Sequence, residues 1–465
     1  MTTPVKSAMF QHSPRIIPRS SGSGGLLLLL MLVLFPTAGS CDDWPQWLGP
    51  NRDSVWRETG LVETISEEGL PILWRTPIEG GYAGPSVADG RVYVMDYIRE
   101  GAGAANDPNA RSVVNGKERI LCLSASSGEI LWSHEYDRPY EISYASGPRC
   151  TPTVDDGRVY AMGAEGDLTC LDARTGEVLW AHHFKPEYGA ETPLWGYSSH
   201  PLIWDDLLIA VVGRDGNVAM AFDKKTGEER WQALSAKEQG YCPPTLVTID
   251  GIEQVLIWDA ENVSSLNPHD GSLRWSTPLV PEYGMSIAAP RQSGDLLFFG
   301  AIGNVGGTFH VTEGSQSAMP VWVQDSKTGI CCANGTPFIE DGVAYGSDCR
   351  SGGLRGVDLL TGERLWESFE PTTGTHRMGH GTAFVVKWGE RPGEYIILSE
   401  TGDLIHARLS REAYEELGRQ HVIEPTSEAF GRSVLWSHPA FADGCCFLRN
   451  DREIVCVSFR DGEQN

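Results

Sequence analysis

The histidines are the side chains whose spacing comes nearest to a recognisable chemical site. His376 and His380 have the i, i+4 spacing with which two histidines on one helix bind a metal ion. Their context, residues 374–381, is glycine-rich and typical of a loop, so we predict no metal site. The sequence contains no P-loop, no Gly-x-Ser-x-Gly motif and no Cys-x-x-Cys-His haem motif. Catalytic motifs therefore give no indication of function.

Composition narrows the class of protein. The 465 residues include 37 Lys+Arg and 62 Asp+Glu, and the formal net charge is −25. This acidity argues against nucleic acid or an anionic lipid surface as the partner. Because 41% of the residues are hydrophobic, the chain is not disordered. Its length exceeds that of one simple core, so we expect several domains or a repeat architecture.

The first forty residues have the pattern of an export signal. Arg15 and Arg19 precede the apolar run Leu26–Phe35, which has the length of a signal-peptide core and is too short to cross a bilayer. Small residues at 38–40 then precede Cys41, which leaves both ordinary cleavage and lipidation of Cys41 open. No later stretch predicts a transmembrane helix. We expect an exported monomer in the periplasm or attached to the envelope.

A ten-residue pattern that ends in tryptophan recurs at spacings of 44 to 51 residues. Its copies are Leu123–Trp132, Leu171–Trp180, Phe222–Trp231, Leu266–Trp275 and Val357–Trp366, with a decayed copy around Trp322. Each unit reads as four short strands, with Asp-Gly and Thr-Gly pairs at positions that suit tight hairpins. Repeated four-stranded units of this length are typical of a β-propeller, in which neighbouring sheets bury each other's faces.

The number of blades follows from the two ends of the chain. A seventh unit lies at residues 381–424, and residues 434–460 supply three strands of an eighth. The missing fourth strand lies at residues 71–77, so that the two ends of the chain close the ring. We therefore predict an all-β, eight-bladed propeller, with seven blades as the alternative. The predicted domains are a signal peptide at 1–40, an N-terminal extension at 41–70 and the propeller at 71–465.

The repeats resemble the tryptophan-docking repeats of propellers related to pyrroloquinoline-quinone (PQQ) enzymes. Trp44–Arg52 and Trp436–Phe441 are similar to a subgroup of exported bacterial proteins with such repeats. We expect the repeat tryptophans to dock between blades: Trp74, Trp132, Trp180, Trp231, Trp275, Trp322 and Trp366. Two classes share this fold, the quinoprotein dehydrogenases and non-catalytic scaffolds such as the propeller lipoprotein of outer-membrane β-barrel assembly. Fold alone does not choose between them.

The resemblance raises the question of whether two adjacent cysteines belong to a cofactor site. Quinoprotein dehydrogenases line the cofactor slot with a vicinal disulfide, and Cys331-Cys332 has the required residue types. Theirs lies early in the chain, however, whereas this pair falls in the sixth blade. Cys445-Cys446 aligns with the start of a second strand and is read as structural. The resemblance also implies Ca²⁺ and an aspartate base, which spacing does not locate. We expect no cofactor, with PQQ and Ca²⁺ as the alternative.

The connections from each fourth strand to the next first strand are the irregular part of the chain. These fourth-to-first connections lie on the same face of the ring as the second-to-third connections, and this face is here named the top face. Half of the 14 tyrosines fall in the fourth-to-first connections. Aromatic side chains with a polar tip suit a binding surface. Arg149 lies near the channel mouth, where it would pair with a neighbouring acid or neutralise an anionic ligand. The predicted top-face binding residues are Tyr144, Arg149, Trp195, Tyr197, His200, Tyr241 and Asn334.

The sequence is consistent with two functional hypotheses. The favoured one is a non-catalytic exported propeller that binds a protein or polysaccharide of the cell envelope through its top face. The alternative is a PQQ-dependent oxidoreductase or a degenerate relative of one.

Overall fold

The strands form eight sheets, each with four antiparallel strands, arranged as the blades of a β-propeller, and one of these sheets gains a fifth, parallel strand from the N-terminal segment. The computed structural model describes residues 42–101, 108–312, 314, 316–374 and 376–462. The predicted all-β, eight-bladed propeller is confirmed, and the seven-bladed alternative is wrong. The predicted signal peptide at 1–40 and the lipidation candidate Cys41 lie outside the described residues, so both stay predictions.

Seven blades follow one another along the chain. Blades one to four consist of Ser86–Ala88, Arg91–Arg99, Gly116–Ser124 and Ile130–Asp137; Thr153–Asp155, Arg158–Met162, Asp167–Asp172 and Val178–His183; Leu202–Trp204, Leu207–Val211, Ala219–Asp223 and Glu229–Ala233; Thr245–Ile249, Ile252–Trp258, Asn262–Leu266 and Leu273–Pro278. Blades five to seven consist of Arg291–Ser293, Leu296–Ala301, Val305–Val311 and Ala318–Val323; Phe338–Glu340, Val343–Ser347, Leu354–Asp358 and Arg364–Ser368; Ala383–Trp388, Glu394–Ser399, Asp403–Leu409 and Tyr414–His421.

The eighth blade joins the two ends of the chain. Its strands are Ala440–Ala442, Cys445–Arg449, Glu453–Ser458 and, from the N-terminal side, Ile72–Pro77. The last two pair antiparallel, with Trp74 opposite Cys456. Arg449 also links this blade to the first one. Its fully buried guanidinium donates to the carbonyls of Met95 (2.8 Å), Glu79 and Asn450 (2.8 Å).

The remaining elements are short. On the top face the strand Ser112–Val114 pairs with Tyr140–Ile142, and Ser427–Ala429 pairs with Arg432–Val434. A one-turn α-helix spans Phe184–Tyr188, and a 3₁₀ turn spans Glu282–Gly284. Within the described ranges, no helix has the length and apolarity needed to cross a membrane.

Six of the seven repeat tryptophans dock on the next blade. Each indole Nε1–H donates to a backbone carbonyl there: Trp74 to Ala125, Trp132 to Ala173, Trp180 to Lys224, Trp231 to Pro268, Trp322 to Leu359 and Trp366 to Ser410, at 2.9–3.2 Å. In most of these pairs the ring lies against the glycine of the turn. A Cβ on Gly227, for example, would lie 2.8 Å from the ring of Trp180.

Trp275 does not follow this pattern. Its Nε1–H donates to Oε1 of Gln254 in its own blade, at 3.1 Å, although its ring is buried against the fifth blade. The fifth blade has Thr312 and Ser317, rather than a Thr-Gly pair, at the turn that should receive the indole. The docking role predicted for Trp275 therefore keeps its packing contact and changes its hydrogen-bond partner.

The N-terminal segment 42–58, here named the plug, enters the central channel. Trp44 forms an antiparallel bridge with Val87 of the first blade. The strand Val55–Trp56 runs parallel to Ala383–Trp388 of the seventh blade. Glu58 accepts the backbone N–H groups of Asp443 and Gly444, in the turn between the first two strands of the eighth blade. The plug therefore starts and ends at the face opposite the top face, and its middle lies inside the channel.

The middle of the plug is bonded to further blades. The Arg52 guanidinium donates to the carbonyls of Pro201 (2.5 Å) and Pro244 (3.1 Å), which precede first strands of the third and fourth blades. Arg291 of the fifth blade donates to the carbonyls of Arg52 and Asp53, both at 2.9 Å. A segment that sequence analysis assigns to an extension is thus built into the ring. The division of domains at residues 40 and 70 stays a prediction.

Candidate functional site

A cavity of about 540 Å³ opens at the centre of the top face, within the range usual for ligand pockets. Most of its lining comes from fourth-to-first connections. The exceptions are Trp47 of the plug and three residues of second-to-third connections, Pro108, Asn109 and Ile302. Eight of the 25 described lining residues are Trp, Tyr or Phe: Trp47, Tyr82, Tyr144, Trp195, Tyr241, Tyr283, Phe430 and Trp436. We name this cavity the top pocket.

The plug supplies the floor of the top pocket. The Trp47 indole is 5% exposed and stacks on the His200 ring, with centroids 4.7 Å apart and planes 9° apart. His438 meets the edge of Trp47 at 5.8 Å. Nδ1 of His200 accepts the backbone N–H of Thr151 (3.0 Å), which leaves the ring proton on Nε2. The floor of the pocket therefore consists of flat, uncharged rings that contact one another.

The walls are aromatic pairs from different connections. Trp195 meets Tyr241 edge to face at 5.8 Å, and His380 stacks on Phe430 at 4.4 Å. Four wall residues have left-handed backbone conformations, with φ of 49° at Tyr144, 58° at Tyr283, 59° at His380 and 51° at Phe430. This conformation is costly for bulky residues and clusters at functional sites. Of the eleven other described non-glycine residues with positive φ, five are aspartates of Asp-Gly turns and three lie in the plug.

Arg149 holds two of the wall connections together. Its Nε donates to the carbonyl of Trp195 (2.9 Å), and its terminal nitrogens donate to the carbonyls of Ser143 (2.8 Å), Tyr144 (2.7 Å) and Gly147. The guanidinium also lies 5.4 Å from the centroid of the Tyr82 ring. It pairs with backbone carbonyls rather than with the neighbouring acid that sequence analysis suggests. Four of its five N–H groups are used, so little is left for an anionic ligand.

The other predicted site residues divide into two groups. Tyr144, Trp195, His200, Tyr241 and Asn334 line the top pocket with Arg149. Tyr197 does not. It is 2% exposed and packs against Phe184 in the core of the second and third blades, and its hydroxyl donates to the carbonyl of Val212 at 2.7 Å. It lies two residues after Trp195 but on the other side of the connection.

Sequence analysis left several lining residues out of the predicted site. Trp47 and His438 form the floor, and Phe430, Trp436 and Tyr283 form parts of the wall. Trp47 and His438 belong to the Trp44–Arg52 and Trp436–Phe441 segments, which stood out only through family resemblance. Both segments contain tryptophan and proline and lack the ten-residue repeat pattern, which was the available signal.

The cysteines form no disulfide among the described residues. All ten described cysteines are buried free thiols, and the vicinal pair Cys331-Cys332 is among them. Cys331 contacts Cys349 instead, and the backbone N–H of Cys349 donates to the carbonyl of Cys331 at 2.8 Å. Cys122 and Cys170 lie directly opposite Trp132 and Trp180 in their blades. These thiols act as small buried hydrophobic groups.

Burial makes one floor residue sensitive to acid. It lowers the pKa of His438 to about 3, against about 6.5 in an unfolded chain. The folded protein therefore keeps the His438 ring neutral. Above pH 6.5 the ring is neutral in the unfolded chain too, so the free energy of unfolding does not depend on its protonation. Below pH 6.5 the unfolded chain binds the proton and the folded protein does not, so the free energy of unfolding falls. Between pH 7 and pH 5 this linkage amounts to about 2 kcal/mol. We expect the unfolding free energy of His438→Gln to change about 2 kcal/mol less than that of the native chain over this interval.

Urea titrations at the two pH values measure this difference, and the same change at the exposed His269 is the control. Equal pH dependence in the native chain and in His438→Gln would mean that His438 is not buried in its neutral form.

The eight blades and the docked tryptophans define a propeller of PQQ-like repeats. The family model described as "Outer membrane protein assembly factor BamB" matches residues 116–368, more than half of the chain, and the chain belongs to this family. No curated protein sequence matches it.

Solved structures of two kinds share the fold. BamB from Moraxella catarrhalis is 13% identical with a TM-score of 0.54, and the match covers 84% of this chain and 100% of that one. Quinohemoprotein alcohol dehydrogenases from Comamonas testosteroni and Pseudomonas putida HK5 are each 12% identical, with TM-scores of 0.55 and 0.58; each match covers 91% of this chain and 81% of the other. At such identities the likeness shows the fold and not the activity.

The top pocket does not suit the cofactor of the dehydrogenases. Calcium needs several oxygen ligands, usually carboxylates, and the described lining residues include no Asp or Glu. The carboxylates of PQQ need cationic partners, and the lining offers Arg149, most of whose donors are used by carbonyls. Elsewhere in the described chain, no group of three His, Cys, Asp or Glu side chains could hold a metal.

Proposed function

We propose that this protein is a non-catalytic, exported propeller that binds a protein or polysaccharide of the cell envelope in the top pocket. The observation that carries the proposal is the pocket itself, an aromatic cavity that opens at the top face, is built mainly from the irregular connections of several blades, and has no Asp or Glu among its described lining residues. Aromatic side chains contribute most of the energy at binding sites. The described lining includes no Asp or Glu, and its three histidines pack against aromatic rings: His200 and His438 against Trp47, and His380 against Phe430. This arrangement favours binding over catalysis.

A pair of matched variants tests this proposal. Trp195→Ala combined with Tyr241→Ala removes one wall of the top pocket. Trp204→Ala is the control, because Trp204 is also partly buried but lies beside His269, away from the top pocket. Each immobilised protein is exposed to an extract of the native envelope, and the captured proteins and sugars are quantified. We expect the double variant to lose at least about tenfold of a component that the native chain and the control retain.

Two outcomes would contradict the proposal. One is capture of the same components in equal amounts by all three proteins. The other is dye reduction with alcohols or sugars after addition of PQQ and Ca²⁺, which would identify an oxidoreductase. Thermal unfolding of each variant shows whether a loss of capture comes from a loss of folding.

A further inference from the structure

The chemistry of the top pocket and its rim narrows the class of ligand. Inside the pocket the described lining offers no carboxylate and one guanidinium, which is bound to backbone carbonyls. A cation that entered would lose its hydration without gaining a counter-ion, and an anion would find four of the five N–H groups of Arg149 already donated to carbonyls. Desolvation holds the pKa of His200 well below its usual value, and that of His438 at about 3, so the floor is also uncharged near neutral pH. The part of the ligand inside the pocket is therefore uncharged.

The apolar surface continues onto the rim. Tyr283 is 72% exposed and Phe430 is 48% exposed, and both belong to the described pocket lining. Their left-handed backbones hold large rings where water reaches them. Exposed aromatic rings beside a pocket are typical of protein-interaction surfaces. The ligand is thus larger than one buried group, since it also covers rings outside the cavity.

The fourth-to-first connections that carry the pocket are acidic at their surface. Their exposed acids are Glu79, Glu141, Glu187, Glu191, Glu238, Glu282, Asp325, Glu370, Glu424 and Glu428. Their exposed bases are Lys185, Lys237, Lys327 and Arg377. With a formal net charge of −25 for the whole chain, this face attracts positive charge and repels negative charge. Whatever lies next to the buried group should be basic.

We propose that the top pocket takes an uncharged aromatic or aliphatic side chain of a partner protein, presented on a segment whose flanking residues are lysine or arginine. This inference rests on the proposed binding function and adds the class of ligand. The uncharged cavity would hold the buried side chain, and the exposed rings of Tyr283 and Phe430 would contact the peptide chain beside it. The acidic residues of the surrounding connections would attract the flanking lysines or arginines. A neutral polysaccharide would use the aromatic rings, but it would gain nothing from the acidic rim.

Selection from a random displayed peptide library tests the composition directly. The native chain is the bait, and the Trp195→Ala, Tyr241→Ala double variant and Trp204→Ala are run in parallel. We expect peptides with Trp, Tyr, Phe, Leu or Met next to Lys or Arg to be enriched on the native chain and on Trp204→Ala. Synthetic copies should bind the double variant at least about tenfold more weakly. Their binding should also weaken as salt is raised, because the rim contact is exposed to solvent.

A glycan array, probed with the same three proteins, separates the failure of this inference from the failure of the proposed function. Enrichment of acidic peptides, or of peptides that bind the double variant equally well, would overturn the peptide assignment. Glycan binding that the double variant loses, without peptide enrichment, would leave the binding function in place and replace the ligand class by a polysaccharide. Absence of pocket-dependent binding in both arms would contradict the ligand class and the binding function together.

Discussion

Replacing Trp56 by alanine should lower the free energy of unfolding by about 3–5 kcal/mol. The plug places this indole, which is 1% exposed, between the seventh and eighth blades. Its ring is stacked with Trp388 at 6.4 Å and lies 4.8 Å from Phe441 and 5.2 Å from Phe459. Its Nε1–H donates to Glu58 at 3.1 Å. Because Trp388 and Phe441 belong to strands already fixed by the sheets, they cannot close the space that the ring leaves.

Urea unfolding followed by circular dichroism measures this loss. Trp204→Ala is the matched control, and it should cost less than about 2 kcal/mol because the ring of Trp204 is partly exposed. A loss below 1 kcal/mol for Trp56→Ala would mean that the plug is not part of the cooperative fold.

Replacing Arg449 by alanine should lower the free energy of unfolding by a similar amount, about 3–5 kcal/mol. The guanidinium is fully buried, and burial lowers its pKa. Without it the carbonyls of Met95, Glu79 and Asn450 lose their donor inside the protein. Met95 belongs to the first blade and Glu79 lies in the connection that precedes it, whereas Arg449 belongs to the eighth blade. The substitution therefore acts where the ring closes.

Two further variants separate the reasons for this effect. Arg449→Met keeps most of the volume but no donor, so it should remain destabilising by more than about 2 kcal/mol if the three hydrogen bonds matter. Arg408→Ala removes an arginine that is 46% exposed and paired with Glu394 and Glu415, and it should cost at most about 1 kcal/mol. Equal stability of Arg449→Met and the native chain would show that only packing is involved.

The fold could be predicted from the sequence because the repeat is local. The Asp-Gly turns are an example: Asp156 and Gly157 both have positive φ, at 46° and 70°, as a two-residue hairpin requires. Each tryptophan then needs only a turn at the same position of the next blade. Trp275 shows the limit of this logic, since the turn of the fifth blade lacks the Thr-Gly pair and the indole donates to Gln254 instead.

The site was less predictable, because it depends on contacts between distant segments. The position of Arg149 near the channel mouth followed from blade order, but its four carbonyl partners depend on how two connections fold over it. Tyr197 is an example of the opposite error. It lies in a connection rich in aromatic residues, but the sequence does not say whether its ring faces the pocket or the core. Trp47 reaches the pocket only because the plug crosses the channel.

The plug also constrains the order in which the chain can fold. Its residues come early in the chain, yet their partners are spread from Val87 to Gly444. Closing loops of this length costs entropy that is recovered only when the last strands are present, and such non-local contacts are associated with slow folding. The floor of the top pocket is therefore among the last parts to become rigid. A chain truncated before the eighth blade would retain the tryptophan-docked blades, but it would have no completed pocket.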